Sequence, residues 1–132
     1  MLSVQGKVSV DQPDRWRCES AMKWRRIVAS RHCPLTPIHR WVVTCLSYYG
    51  DCHGDNIFPS QETVADRAST CRKTVVNATQ KAYEAGFLDR WEVGTGQGYK
   101  RYEYSLTLPN ALATELELNP DFMNELQSRR RA

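Results

Sequence analysis

The chain has 132 residues, of which 41% are hydrophobic and 25% charged, the size and balance of one globular domain able to bury a core. No stretch approaches the roughly 18 consecutive apolar residues of a membrane span, and the start lacks the apolar centre of a signal peptide. A cytoplasmic protein with no membrane partner is therefore expected. Cys18, Cys33, Cys45, Cys52 and Cys71 are odd in number and irregularly spaced, which argues against a secreted disulfide framework and for reduced thiols. The formal net charge is only +3, yet the first 34 residues hold seven Lys or Arg against three acids, a local excess that suits a polyanion.

In chain order, residues 20–30 read as a short helix with Ala21, Trp24, Ile27 and Val28 on one face and Lys23, Arg25 and Arg26 on the other. Pro34 limits it. Thr36 and Pro37 then supply a cap and a first-turn proline for a second helix. In that helix Ile38, Trp41, Val42, Cys45, Leu46 and Tyr49 have the spacing of a buried stripe, and Gly50 is expected to close it in a left-handed conformation. A polar turn over 51–56 leads to a short strand at Ile57 and Phe58. Ser60 caps the next helix, which carries Glu62 near its positive end and Val64, Ala65 and Ala68 inside.

After a turn at Ser69 and Thr70, a further helix is expected over about 71–85, with Gly86 just past its end and Phe87 folding back. Two strands follow, 88–93 and 99–108, joined by the glycine-rich stretch 94–98. In the second, Tyr102, Tyr104, Leu106 and Leu108 alternate with Arg101, Glu103, Ser105 and Thr107, the period of a half-buried strand. Beyond Pro109, Leu112, Leu116, Leu118, Phe122, Met123 and Leu126 suit one or two short helices, ending in the basic run Arg129–Arg131. The fold class is thus α+β, mostly α, with an N-terminal arm (1–19), a central domain (20–108) and a C-terminal helical extension (109–132).

Two helices joined by a small-residue turn and followed by a glycine-rich hairpin make a winged helix-turn-helix, whose second helix enters the major groove. Val75, Ala78, Thr79 and Ala82 are spaced to face the core, leaving Arg72, Lys73, Val76, Asn77 and Gln80 outside with no acid among them. Arginine pairs with guanine, Asn and Gln with adenine, and a valine methyl touches thymine, so this face has the chemistry of base readout.

The segments Ile57-Phe58-Pro59-Ser60-Gln61-Glu62-Thr63-Val64-Ala65, Cys71-Arg72-Lys73-Thr74-Val75 and Glu84-Ala85-Gly86-Phe87-Leu88 resemble the winged helix-turn-helix domains of phage and plasmid replication initiators and regulators. The likeness spans about 35–108. It implies that Arg72, Lys73, Val76 and Asn77 contact DNA, with Thr74 and the helix start near phosphate. Gln80, and Ser60 and Gln61 at the start of the preceding helix, join this set, and the wing over 94–101 adds Gln97, Lys100 and Arg101, suited to phosphate or the minor groove. Where the family carries a serine cap this chain has Cys71, so Ser69 or Thr70 is expected to cap instead. Where it carries core leucines this chain has Thr79 and Ala82, so Trp24, Trp41 or Trp91 is expected to fill the space.

His32-Cys33 and Cys52-His53 offer four zinc-type ligands, but without a Cys-x-x-Cys spacing they read as structural, and no metal or other cofactor is expected. Nothing marks a Cys–His catalytic pair, so the chain is not expected to be an enzyme. Cys71 at a helix start suits a lowered thiol pKa. Trp24, Trp41, Tyr48, Tyr49 and Trp91 are spaced for the core rather than for stacking on single-stranded bases.

The expected function is sequence-specific binding of double-stranded DNA by a transcriptional regulator of a phage or mobile element. A replication-initiation or recombination accessory factor, working with the replication or transcription machinery, is the first alternative, and a protein–protein adaptor the second. A homodimer is expected because one short helix reads few bases, with the apolar tail from Leu112 to Leu126 either its contact or packed on its own domain.

Overall fold

The computed structural model of the protein describes residues 14–96 and 99–112. Among the described residues, helices and a three-stranded antiparallel sheet follow one another as β1 (Arg15–Arg17), α1 (Ala21–Val28), α2 (Pro37–Ser47), α3 (Gln61–Ala68), α4 (Arg72–Glu84), β2 (Leu88–Gly96) and β3 (Tyr99–Pro109), with helical residues again from Asn110. The class is α+β. No helix among the described residues is long and apolar enough to cross a membrane.

Local chemistry starts three of the helices. The hydroxyls of Ser20, Thr36 and Ser60 accept the backbone N–H of Lys23, His39 and Thr63, each satisfying one donor that has no partner within its helix. At the end of α4, Gly86 takes φ +87°, so that its N–H reaches Tyr83 O at 3.1 Å and the N–H of Phe87 reaches Ala82 O at 2.9 Å. This double closure drives Phe87 into the core, where it is 1% exposed. Ser69 ends α3 in the left-handed region at φ +59°, which makes the link to α4 short.

Helix α2 packs against α1, α3 and α4. Its buried residues are Val42, Val43, Cys45, Leu46 and Ser47, while Ile38 and Trp41 are 45% and 50% exposed, against the expected stripe. Three helical neighbours rotate the buried arc towards Val43 and Ser47. Trp41 lies over the end of α3, its indole N–H bonded to Ala68 O at 3.0 Å. Gly50 is not left-handed either. A side chain there would place its Cβ 2.4 Å from Ile57 Cγ1 and 2.6 Å from Asp55 O, so close approach, not φ, excludes a larger residue.

The strand order is β1-β3-β2. The pairing of Arg15–Arg17 with Pro109, Leu108 and Thr107 was not apparent from the sequence. It places Arg15 inside the protein, where Nη1 donates to Tyr83 O and Leu88 O at 2.8 and 2.7 Å. Strand β3 is buried on both faces at its C-terminal half, not one. Tyr104, Leu106 and Leu108 are covered, but so are Ser105 and Thr107, whose hydroxyls donate to Asp55 Oδ1 and Gly86 O at 2.8 Å each. Those hydroxyls satisfy their own polarity inside, which is why an alternating pattern can hide a strand covered on both sides. The short strand expected at Ile57 and Phe58 is a single bridge from Ile57 to Tyr104, and Phe58 is exposed.

Trp24 ties α1 to the sheet. It is fully buried, and its indole N–H is shared between Phe87 O and Thr107 O, both at 2.9 Å. Of the tryptophans expected to compensate for small core residues, only Trp24 is fully buried; Trp91 is partly covered. Tyr48 is exposed, so the expected core placement fails for it as for Trp41, whereas Tyr49 is half-buried and packs against the core. Leu112 is buried in the same core and is therefore not free for association. The other apolar tail residues lie outside the described residues.

Candidate nucleic-acid interface

Helix α4 spends one side on the core. Val75, Ala78, Thr79 and Ala82 are buried, and Thr79 folds its hydroxyl onto Val75 O at 3.0 Å, which lets a polar residue occupy a core position. The opposite side carries Lys73 and Asn77, both exposed, with Val76 half-buried beside them. Neither Lys73 nor Asn77 makes a side-chain hydrogen bond or ion pair among the described residues. This segment combines a cation, a bidentate amide and a methyl pair on one open helical surface.

The flanking residues are engaged. Arg72 Nε donates to Gln61 Oε1 at 2.8 Å and lies 3.6 Å from Glu62 Oε2, so the first turn of α4 is bound back to the first turn of α3. Gln80 accepts from Arg90 Nη2 at 2.6 Å and donates to Glu84 Oε2 at 2.8 Å. The outer face therefore meets two carboxylates, Glu84 at i+4 from Gln80 on the same helix and Glu62 from α3, which the spacing within α4 did not bring to it. Ser60 is occupied as the cap of α3, its hydroxyl also 2.8 Å from that of Thr63.

Arg90, on β2, was not singled out in the sequence. Its guanidinium carbon lies 4.6 Å from the ring centre of Tyr83 and 4.5 Å from that of Tyr102, so two aromatic faces hold the planar cation against α4. No sequence spacing links residues 80 and 90. The contact arises because the chain reverses at Gly86 and lays β2 along the helix.

The hairpin is tighter than the five-residue connection expected. Residues Gly94–Gly96 belong to β2, with Gly96 paired to Tyr99 and Thr95 to Lys100. The register shifts between Glu92 and Gly94, leaving Val93 as an extra residue, 51% exposed, and Gly94 at φ +143°. Such a bulge re-aims the outer hairpin relative to its base. Arg101 is exposed on β3. Gln97 and the side chain of Lys100 lie outside the described residues.

Much of the N-terminal basic excess is consumed inside the molecule. Arg15 is buried, Arg17 pairs with Asp55, and Arg25 stacks on Tyr48 at 3.8 Å while donating to Ser47 Oγ at 2.8 Å. Lys23 and Arg31 remain exposed. The expected single basic face on α1 is thus reduced to a few cations.

Cys71 caps α4 by position, but its side chain makes no capping hydrogen bond of ordinary geometry, and neither Ser69 nor Thr70 replaces it. Its sulfur lies 3.3 Å from Thr74 Oγ1. The Thr74 hydroxyl, with the N–H groups at the start of α4, holds this exposed thiol below the usual cysteine range. Burial pushes the thiols of Cys18, Cys33 and Cys45 up. Among the described residues no three His, Cys, Asp or Glu side chains converge as metal ligands would. Comparison with protein-family models, with curated proteins and with solved structures gives no match to this chain.

Proposed function

We propose that the chain is a winged helix-turn-helix protein that binds double-stranded DNA with sequence preference, and that it acts as a regulator by occupying its site. In this reading α3 and α4 are the helix-turn-helix, α4 is the helix that enters the major groove, and the β2–β3 hairpin is the wing that lies along the backbone. The observation that carries the proposal is the division of α4. One face is entirely core, and the other presents Lys73 and Asn77, with the half-buried Val76, in the N-terminal half of the helix. Asn is suited to the paired acceptor and donor of adenine, a methyl pair to thymine, and a lysine to guanine or phosphate.

Arg72 and Gln80 extend this surface at its two ends in conformations already fixed by neighbours, and Arg101 supplies a cation on the hairpin. The start of α4 carries no side-chain oxygen cap, an arrangement that suits a phosphate oxygen. The test is affinity selection from a duplex pool with a randomised centre. The expected result is enrichment of a short motif, with Asn77→Ala removing the preference at one base pair. Recovery of an unenriched pool would overturn the proposal.

A further inference from the structure

We infer that Arg90, on the strand outside the helix, is a positioning residue for base readout, holding the amide of Gln80 in one orientation together with Glu84. The inference rests on the DNA-binding reading above. A glutamine amide has two nearly indistinguishable ends, and which end faces the base decides what it can recognise. Here the sense is fixed chemically. Arg90 has only donors to offer, so the group 2.6 Å from its Nη2 is Gln80 Oε1. The Glu84 carboxylate only accepts, so the group 2.8 Å from its Oε2 is Gln80 Nε2.

Each end keeps capacity beyond this network. Oε1 has a second lone pair and Nε2 a second hydrogen, which together match the N6 donor and N7 acceptor of adenine. A long, unrestrained side chain loses rotamer freedom when it is ordered on a base, whereas one already held loses less. The support itself is rigid, because Tyr83 and Tyr102 bracket the Arg90 guanidinium at 4.6 and 4.5 Å. Arg90 thus touches no base, and its effect is exerted through Gln80.

The experiment compares wild type, Gln80→Ala, Arg90→Met and the double variant by selection from a randomised duplex pool, and by the salt dependence of binding to one random duplex. Gln80→Ala is expected to reduce preference at a single base pair by about fivefold or more. Arg90→Met should reduce preference at the same base pair, leave the salt slope unchanged, and add nothing in the double variant. If Arg90→Met keeps the preference that Gln80→Ala loses, or Gln80→Ala loses none, the inference is overturned while the DNA-binding reading stands. A slope shallower by about one, with equal weakening on all sequences, would mark Arg90 as a phosphate contact and also overturn it. Should Arg90→Met fail to fold, Glu84→Ala decides. Glu84 is exposed at the end of α4, and loss of preference at the Gln80 base pair supports the inference, whereas an unchanged motif refutes it. A wild-type protein that enriches no motif refutes the reading itself.

Discussion

Replacing Trp24 by Phe tests the packing that joins α1 to the sheet. The side chain is fully buried, so nothing of the loss is relieved by solvent. At about 24 cal/mol per Å³ of cavity, the roughly 40 Å³ that separates the two side chains costs about 1 kcal/mol. The indole N–H shared between Phe87 O and Thr107 O is lost as well. Phe87 O keeps a 3.3 Å bond from Thr107 N, so only part of the penalty for an unsatisfied carbonyl applies, and about 1–2 kcal/mol is a fair share. The sum is about 2–3 kcal/mol, a large fraction of the roughly 5–15 kcal/mol that holds a domain of this size. Urea unfolding followed by tryptophan fluorescence and circular dichroism should show a lowered midpoint with an unchanged slope. A loss below about 0.5 kcal/mol would mean that Trp24 does not bridge α1 and the sheet as described.

Asn77→Ala should leave stability within about 0.5 kcal/mol, since its side chain is exposed, and should cost about 1–3 kcal/mol of discrimination between preferred and random duplexes, read by competition binding. Cys71→Ser places an oxygen acceptor at the cap of α4 and should raise stability by about 0.5–1 kcal/mol, visible as a higher urea midpoint. Burial opposes the charge of Asp51, but the N–H groups of Asp55 and His53 and the Asn56 amide outweigh it and hold the carboxyl below the usual range. Its folded pKa is lower than its unfolded one, so it adds stability above about pH 4 that disappears as the pH falls through the folded value. Asp51→Asn should therefore flatten the acid limb of the stability profile, measured by urea midpoints across pH.

The starts of α2 and α3 were legible because they depend on neighbours in sequence, whereas the Ser69 or Thr70 cap expected for α4 is not formed. Thr36 and Ser60 need only reach an N–H three residues on, and Gly86 only needs to turn the chain. What escaped was set by contacts between distant segments. Ile38 and Trp41 fit a buried stripe by spacing, but the direction from which α1, α3 and α4 cover α2 decides which residues are inside. Strand β1 hides an arginine at its buried position, satisfied by carbonyls of residues 83 and 88, so its pattern is the reverse of the one that marks a strand. Ser105 and Thr107 read as a solvent face until their hydroxyls find Asp55 and Gly86. At the candidate site, spacing separated the inner and outer faces of α4. It could have shown Glu84 beside Gln80, an i,i+4 pair, but not that Gln61 binds Arg72 and Arg90 binds Gln80, since those partners arrive from α3 and from β2.

The central claim is most directly tested by the salt dependence of binding to double-stranded DNA, measured by fluorescence anisotropy on a labelled duplex. Each phosphate neutralised contributes about −0.9 to the slope of log affinity against log salt concentration. Lys73 on α4 and the hairpin cations predict a slope of about −2 or steeper for the wild type, made shallower by up to about two in Lys100→Ala with Arg101→Ala. Absence of duplex binding at low salt, or a slope near zero, would contradict the account.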